Sequence, residues 1–440
     1  MKVSKIVLPI ILIAAVGMSW FSFLTGTAKT SVEYKDCIKD AESSIEAGLY
    51  EQGIEFYKES LQYENTESTY IKIKETYDKL YAEEHTTFIR NLYIEDMSVA
   101  CSEFPKNDIF WVTQINLYLD ALNYSSAYKI SKQAQNFGAS SKELDELYQN
   151  LLYMVKTDFK LYYDYKTALN GYISVYDGNQ WTVLDESGNS IRSNYKMIGL
   201  INDDGKGIYI NSIDTRLLDN KEVTRARFDF DIEDAGYYNE TSDRIPVKRD
   251  GLWKYMNSKG EFLSGEFEIA GSFYNQEAVA FTGEKWVLLD EKGTQTELNQ
   301  FEDIKLDLYG CHIQNDVVIA KEKGKYHFYD KEFKQLGDFE ADDIDLCING
   351  SLVAFEKDGK WGFVDTDGKV VVAPQYKRAK SFANGYAAVC NEAGLWGFIN
   401  DEYELVIDYT YIDAMYFNSK ETCLVSTTEN TVQLLRFVFE

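Results

Sequence analysis

Acidic residues in short turn-like segments are the side chains of this sequence whose types and spacing could do chemistry. Asp365–Gly368, Asp203–Gly205 and Asp342-Asp343 each present carboxylate oxygens, which are ligands that Ca²⁺ prefers. The D-x-x-G spacing is also what a tight hairpin turn needs, and the terminal glutamate of an EF-hand loop is missing. We therefore interpret these segments as turns and predict no metal site.

The histidines offer little for catalysis. His85, His312 and His327 stand apart in the sequence, and no nucleophile elbow, P-loop, zinc-protease or dinucleotide-binding motif accompanies them. A lone histidine is more often a packed or surface residue than a base. Paired carboxylates for glycoside hydrolysis would have to converge from separate segments, which spacing cannot show. We predict no catalytic residue and no cofactor.

Charge and cysteine usage limit the class of partner. The 440-residue chain carries a net charge of -27, which argues against nucleic acid, because phosphate binding needs clustered Lys and Arg. The six cysteines form no C-x-x-C pair, and the last four lie within or beside predicted strands. We interpret them as small buried apolar residues rather than disulfides.

One segment is basic against this acidic background. It lies between Gly207 and Trp253, and could meet an anionic partner. Neutralisation of acidic neighbours within the fold is the interpretation that we favour. The candidate partner-binding residues are Arg225, Arg227, Arg244, Lys248 and Arg249.

A motif repeats after 35 residues towards the carboxyl end. Residues Trp361–Asp365 (W-G-F-V-D) recur as Trp396–Asn400 (W-G-F-I-N), and Tyr376–Phe382 (Y-x-x-A-x-x-F) recurs as Tyr411–Phe417. A fixed period of this length indicates one repeated supersecondary unit. Because short apolar runs alternate with Asp-Gly turns, each unit is predicted to be an antiparallel meander.

The repeat extends over the second part of the chain. Eight such meanders can stack as an open β-solenoid or close into a propeller. We favour a seven- or eight-bladed propeller, because Thr431–Phe439 and an extra strand at Phe159–Tyr163 would complete one shared blade. The predicted unit centres are Trp181, Gly207, Trp253, Trp286, Tyr326, Trp361, Trp396 and Val432.

This pattern resembles the WG-repeat family of bacterial proteins, whose units carry K-W-G-[FY]-[IV]-D, then G-K, then P-x-Y-x-x-A-x-x-F. The match is close from Asp358 to Asn400 and partial over the rest of 158–440. The resemblance implies β-rich repeats that act as interaction modules, and the motif includes no catalytic residue. The residues expected to anchor the repeats structurally are Trp181, Trp253, Trp286, Tyr326, Trp361, Gly362, Trp396 and Gly397.

Between residues 30 and 156 the apolar spacing is that of amphipathic helices. Residues 47–61 resemble a tetratricopeptide repeat, with small residues at Gly53 and Ser60 where two helices would approach closely. Residues 123–134 give a second match. A generic antiparallel helical bundle is the alternative.

A capping box marks the last predicted helix. Ser140 and Glu143 have the spacing at which a hydroxyl and a carboxylate cap each other's backbone N–H groups. The helix is predicted to begin there and to run to about Met154.

The amino-terminal segment predicts where the protein works. Residues 6–24 carry no charge and, at about 28 Å of helix, are long enough to cross a bilayer. Lys2 and Lys5 favour a cytoplasmic amino end and an extracytoplasmic remainder. We predict a single-pass membrane anchor. The alternative is a signal peptide that is cleaved near Ala28, which would release a secreted protein.

These patterns predict an α+β multidomain protein. Residues 1–29 are the membrane anchor or signal segment, 30–156 the tetratricopeptide-like helical domain, and 157–440 the WG-repeat propeller-like domain. The preferred function is a membrane-tethered, extracytoplasmic, non-catalytic binding or scaffold protein for a protein or cell-envelope polysaccharide. The alternatives are a propeller hydrolase of envelope glycans and a ligand-sensing component of an envelope system.

Overall fold

The protein folds into a helical unit and a β-propeller. The first compact unit extends to Leu152 and contains seven described helices, and the second runs from Tyr153 to Val438 and is an eight-bladed propeller. The structure is a computed structural model, and it describes residues 27–167, 171–219, 221–348 and 352–439.

The predicted membrane anchor, residues 6–24, lies outside the described residues. Over the part of the chain that is described, no helix is both long enough and apolar enough to cross a bilayer. Membrane attachment therefore stays a prediction.

In the helical unit each helix packs against the next one along the chain. Gly53 permits the closest approach, because a Cβ atom there would lie 2.6 Å from Cγ1 of Ile45 on the preceding helix. Ser60 is fully buried at the same contact layer. The helices are α1 (Thr27–Glu46), α2 (Tyr50–Ser60), α3 (Glu67–Glu83), α4 (Thr87–Glu103), α5 (Asp108–Asp120), α6 (Tyr124–Asn136) and α7 (Lys142–Leu152).

The last helix begins one residue later than the capping box predicts. Oγ of Ser141, not of Ser140, accepts a hydrogen bond from the Leu144 N–H at 3.2 Å. Either serine can cap a helix. The helix begins where it does because Leu144 must face the core, and Leu144 is fully buried. Glu143 therefore lies at the second helical position, where it can still interact with the helix dipole.

The propeller consists of antiparallel meanders whose first strand is innermost. Blades 1 to 4 begin with β2, β6, β10 and β13, and blades 5 to 8 with β17, β21, β25 and β29. Blades 3 and 5 have no regular outer strand among the described residues: isolated bridges to Phe262 and Phe267 take its place in blade 3, and bridges to Gln335 and Ala341 do so in blade 5. The prediction of a closed seven- or eight-bladed ring is confirmed with eight blades, and the open solenoid is wrong.

The strand bounds follow the chain. The strands up to blade 4 are β1 (Val155–Thr157), β2 (Asp164–Thr167), β3 (Tyr172–Tyr176), β4 (Trp181–Asp185), β5 (Ser190–Tyr195), β6 (Met197–Ile198), β7 (Gly207–Ile210), β8 (Thr215–Leu218), β9 (Thr224–Phe228), β10 (Asp234–Ala235), β11 (Ile245–Arg249), β12 (Leu252–Met256), β13 (Ile269–Ala270), β14 (Glu277–Phe281), β15 (Trp286–Asp290) and β16 (Gln295–Glu297). The remainder are β17 (Asp303–Ile304), β18 (Ile313–Gln314), β19 (Val317–Glu322), β20 (Lys325–Tyr329), β21 (Asp343–Ile344), β22 (Val353–Lys357), β23 (Lys360–Val364), β24 (Val370–Tyr376), β25 (Arg378–Ala379), β26 (Ala387–Cys390), β27 (Trp396–Ile399), β28 (Leu405–Tyr411), β29 (Asp413–Ala414), β30 (Thr422–Ser426) and β31 (Gln433–Phe437).

The first strand closes the ring. β1 pairs antiparallel with β31 and so supplies the outer strand of blade 8, as the shared-blade prediction requires. The position of that strand was predicted wrongly. Within residues 159–163 only Tyr162 forms a β-bridge, and its partner is Val432. Gln433 occupies the place where the W-G units have glycine, and its amide donates to the Asp158 carbonyl at 2.9 Å. Between Val432 and Leu434 the outer segment advances four residues, from Tyr162 to Asp158, so blade 8 has a bulge of two extra residues without a glycine at this place.

Candidate functional site

The aromatic repeat residues occupy one register position in their blades. Trp361 on β23 pairs with Glu356, which pairs in turn with Asp343 on the inner strand. The other aromatic residues at this position are Trp181, Trp253, Trp286, Tyr326 and Trp396. All six lie on the third strand of their blades, and a structural anchoring role for them stays a prediction.

The prediction for blade 2 was misplaced by one strand. Gly207 begins β7, the second strand, and Thr215 on β8 occupies the register position of the tryptophans. Asp203–Gly205 therefore belongs to the connection between the first two strands. The error arose because this blade has no aromatic residue at the third strand, so that the nearest Asp-Gly pair was the remaining sequence signal.

The glycine of each W-G pair faces a bulge in the outer strand. Between Trp361 and Phe363, β23 advances two residues while β24 advances four, from Tyr376 to Val372. The extra residues crowd Gly362: a Cβ there would lie 2.4 Å from the Val372 carbonyl oxygen. Glycine is needed because a backbone segment occupies the volume of a side chain.

The second W-G pair repeats this geometry. A Cβ at Gly397 would lie 2.5 Å from the Ile407 carbonyl oxygen. In blade 1, where Thr182 replaces the glycine, the outer strand gains one extra residue rather than two. The W-G pair is therefore a packing device that accommodates the wide bulge.

Of the three predicted acidic turns, Asp365–Gly368 is a hairpin turn whose aspartate accepts backbone N–H groups. The interpretation of Asp342-Asp343 as a turn is wrong, because Asp343 begins the inner strand β21. Oδ1 of Asp365 accepts from the N–H of Asp367 at 3.2 Å and of Lys369 at 2.8 Å. This turn accounts for the recurrence of Asp or Asn after the third strand. Within the described ranges no group of three or more His, Cys, Asp or Glu could hold a metal ion. Residues that accept the N–H four positions on in the same way are Asp185, Asp219, Asn257, Asp290, Asp330 and Asn400.

The three histidines lie in unrelated environments. His85 is in the helical unit, 3.1 Å from Asp120, and Nδ1 of His327 lies 2.9 Å from the Phe339 carbonyl. His312 is fully buried, its ring is parallel to that of Phe333, and neither ring nitrogen has a hydrogen-bond partner among the described residues. Burial lowers the pKa of His312 to about 4, so it is neutral at pH 7.

The cysteines form no disulfide among the described residues. Cys311, Cys347, Cys390 and Cys423 are buried in the propeller; Cys390 and Cys423 lie on β26 and β30, and the other two lie in connections between strands. Burial raises the pKa of Cys423 to about 12, which keeps the thiol protonated and unreactive at neutral pH.

The basic segment lies on blades 2 and 3, and its first two arginines have acidic neighbours. On β9, Arg225 Nη2 lies 2.5 Å from Oδ2 of the buried Asp219. Arg227 Nε lies 3.7 Å from Asp214. Both guanidinium groups remain more than half exposed, so these pairs leave charge at the surface.

The other basic residues of this segment are spread around blade 3. Nη2 of Arg244 donates to the Glu291 carbonyl at 2.7 Å, and the guanidinium of Arg249 stacks over the Phe230 ring at 4.7 Å. Lys248 pairs with Asp234 in the sheet register. Binding of a partner by these five residues stays a prediction.

A cavity of about 460 Å³ opens where blade 1 meets blade 8, and we call it the closure groove. Three segments line it: 162–165 before and in β2, 412–413 with Ser426 on the inner strands of blade 8, and the β30–β31 turn at 428–432. Because the last blade is completed by β1, the groove exists only in the closed ring.

The closure groove is acidic and aromatic. Asp164, Asp413 and Glu429 line it together with Tyr162, Tyr163 and Tyr165, and its lining residues include no lysine or arginine. Burial, together with the Asp413 and Asp164 carboxylates, raises the pKa of Tyr165 to about 12. The carboxylates of Asp413 and Asp164 therefore both act electrostatically on the part of the groove around the Tyr165 hydroxyl. The lining is completed by Ile412, Ser426, Thr428, Asn430, Thr431 and Val432.

Apolar side chains flank the groove. Phe159 is fully exposed, and Tyr163 is 59% exposed while its ring covers Gly178. Leu161 is exposed between them, and Ile412 is exposed at the opposite wall. We call Phe159, Leu161 and Tyr163 the apolar strip; the chain bends at Phe159 and at Tyr163, and of the three only Tyr163 lines the cavity.

These residues were not predicted as a site. The sequence holds a local signal, since Tyr162–Tyr165 (Y-Y-D-Y) follows two apolar residues that strand packing did not need. Asp164 and Glu429 line the same cavity although they are far apart in the chain, and sequence spacing does not reveal this proximity. It becomes visible only when the register of ring closure is known.

Comparisons with known proteins bear on the fold and on the repeat. No curated protein matches the chain. Among solved structures, Hsv2 of Kluyveromyces lactis is similar, with 11% identity and a TM-score of 0.38 over 56% of this chain and 95% of that chain. The Pan2 WD40 domain of Neurospora crassa is similar with 12% identity and a TM-score of 0.33, over 66% of this chain and 90% of that one. Likeness at this level carries no argument about function.

The family model of the WG containing repeat matches residues 361–393. The matched range begins at the W-G pair of β23 and ends just after β26, so it spans the wide bulge and the inner strand of the next blade. This match identifies the chain as a protein that carries a WG repeat.

Proposed function

We propose that the protein is a non-catalytic binding protein that works outside the cytoplasm, is held at the membrane by residues 6–24, and binds a protein partner in the closure groove. The observation that carries the proposal is the combination, at one place, of a cavity of about 460 Å³, three carboxylates and exposed aromatic and aliphatic side chains. Exposed apolar surface beside a polar cavity is typical of interaction sites.

The rigidity of the scaffold supports this proposal. Each wall of the groove belongs to a strand or a tight turn of the propeller, and Tyr162 and Val432 hold the two blades together by reciprocal backbone hydrogen bonds of 2.9 and 2.8 Å. A site built on fixed elements loses little conformational entropy when a partner binds.

The binding role can be tested by site-specific photo-crosslinking in cells that naturally make the protein. A photoreactive phenylalanine analogue at Tyr163 is expected to give one dominant covalent adduct, because this ring is exposed at the edge of the groove. The same analogue at Lys331, an exposed residue of the blade 5 turn, is the matched control and is expected to give none. Adducts of equal yield at both positions, or at neither, would contradict the proposal.

Membrane tethering has its own test. The full chain is expected to sediment with membranes and to resist alkaline extraction, whereas a chain that lacks residues 6–24 is expected to be released. Protease added to sealed cells or spheroplasts should digest the propeller if it is extracytoplasmic. Protection of the propeller, or alkaline release of the full chain, would contradict this part of the proposal.

A further inference from the structure

The closure groove has more acidic charge than its own neighbours neutralise. Asp413 lies 4.0 Å from Nζ of Lys380, a distance at which the attraction is weak. Asp164 and Glu429 form no ion pair with any described residue. Their charges add to those of a chain whose net charge is -27. Lys160, whose Nζ lies 5.2 Å from the centre of the Tyr162 ring, is paired with Asp177 at 3.7 Å.

The carboxylate of Asp164 accepts a backbone hydrogen bond, which does not neutralise its negative charge. Oδ1 accepts from the Tyr165 N–H at 2.8 Å, which fixes the side chain at the inner edge of blade 1. The same contact recurs in other blades, for example at Asp343, where Lys305 Nζ lies 3.2 Å away and supplies the opposite charge. For Asp164 of blade 1 the corresponding residue of the preceding blade is Met415 rather than a lysine, so this position supplies no opposite charge.

The aromatic walls suit the same kind of ligand. Tyr163 is exposed at the edge of the cavity, and Tyr165 lies inside it with its hydroxyl 3.1 Å from Sδ of Met415. A cation over an aromatic face contributes roughly 0.5–1 kcal/mol at an exposed site and more when desolvated. Carboxylates together with tyrosine faces therefore favour a cation over a neutral group.

The apolar strip extends the surface beyond the cation. Phe159, Leu161 and Tyr163 are exposed within the five residues that precede β2. A partner segment in extended conformation presents alternate side chains on one side, roughly 7 Å apart. One basic side chain in the groove would then place neighbouring apolar side chains along the strip.

We infer that the closure groove binds the arginine or lysine side chain of an extended protein segment whose neighbouring apolar side chains lie along the apolar strip. This inference rests on the proposed function and specifies the partner at its site. It distinguishes a protein segment from a neutral polysaccharide, which could stack on the tyrosines and donate hydroxyl groups to the carboxylates but would gain nothing from their uncompensated charge.

The test is a selection of random peptides on the full chain in detergent, followed by fluorescence anisotropy with the most enriched peptide. Selected sequences are expected to be enriched in Arg or Lys beside apolar residues, and binding is expected to weaken as salt is raised. Asp164→Asn with Glu429→Gln should weaken binding about tenfold or more, which corresponds to about 1.4 kcal/mol. Asparagine at 164 retains an oxygen for the Tyr165 N–H, so the fold is preserved.

Two further variants make the result specific. Glu284→Gln with Glu402→Gln removes the same charge from exposed turns of other blades and should leave the affinity unchanged. Phe159→Ser should weaken binding without a loss of stability, since this side chain is fully exposed.

Three outcomes would overturn the inference: no enrichment of basic residues, equal affinity for the groove variant and its control, or a glycan-array ligand whose binding depends on Asp164 and Glu429 while no peptide is selected. If the Tyr163 crosslink persists under the first or second of these outcomes, the proposed function stands and only the cationic specificity is lost. If the crosslink is also absent, both fail.

Discussion

Replacement of Gly362 by alanine is expected to destabilise the propeller by about 3 kcal/mol. The added methyl group would lie 2.4 Å from the Val372 carbonyl oxygen and 2.7 Å from the Pro374 nitrogen. Both atoms belong to the backbone of the wide bulge, so no side-chain rotation can relieve the contact, and β24 must move. The loss should appear as a lower urea midpoint, followed by the fluorescence of the blade tryptophans.

Gly359→Ala is the matched control. Gly359 lies in the turn just before β23 and has a positive φ of 79°, yet a Cβ there would meet no atom within 4 Å. Its cost is therefore limited to backbone strain of about 1 kcal/mol. If both variants had the same midpoint, the close approach of β24 would not be the reason for the glycine in the W-G pair.

Replacement of His312 by leucine is expected to stabilise the propeller increasingly as the pH falls from about 6.5 to about 4. The folded-state pKa of His312 is about 4 because of burial, whereas an unfolded histidine has a pKa of about 6.5. Between these values the unfolded state binds a proton that the folded state does not, so acid favours unfolding. The stability of the natural chain relative to the leucine variant should fall by about 1.4 kcal/mol per pH unit, up to about 3 kcal/mol.

At pH 7 the leucine variant should already be at least as stable, since both ring nitrogens of His312 lack hydrogen-bond partners among the described residues. Asp307, whose pKa burial raises to about 6, has the opposite effect, since its protonation favours the folded state as the pH falls to about 3.8. Both chains contain Asp307, so its contribution cancels in the difference. A stability difference that stays constant from pH 7 to 4.5 would contradict the assignment of His312 as buried and neutral.

The repeat could be predicted from sequence because its residues act locally. Trp361, Gly362 and the Asp-Gly turns determine a meander through neighbours within one unit, and eight such units leave few ways to bury their faces. Ring closure could be predicted because the units at the two ends of the repeat region are incomplete. Thr215 escaped prediction because a blade can keep the register after it has lost the aromatic residue that marks it.

What the sequence could not indicate depends on contacts between distant segments. The closing strand is Val155–Thr157 rather than Phe159–Tyr163, and the choice rests on register with β31, whose partner residues lie near the other end of the chain. The closure groove could not be predicted for the same reason, because Asp164 and Glu429 line one cavity only where blade 8 meets blade 1. The wide bulge that Gly362 permits could not be predicted either. A glycine in a strand indicates that another segment approaches closely, but it does not indicate which atoms of that segment do so.

The pairing of β1 with β31 also sets the order in which this protein can mature. During synthesis β1 leaves the ribosome ahead of the other seven blades and finds its partner strand only after Phe437 has been made. Until then blade 8 has no outer strand and the closure groove does not exist. Binding of the proposed partner is thus tied to completion of the ring, and a prematurely terminated chain would lack the proposed site altogether.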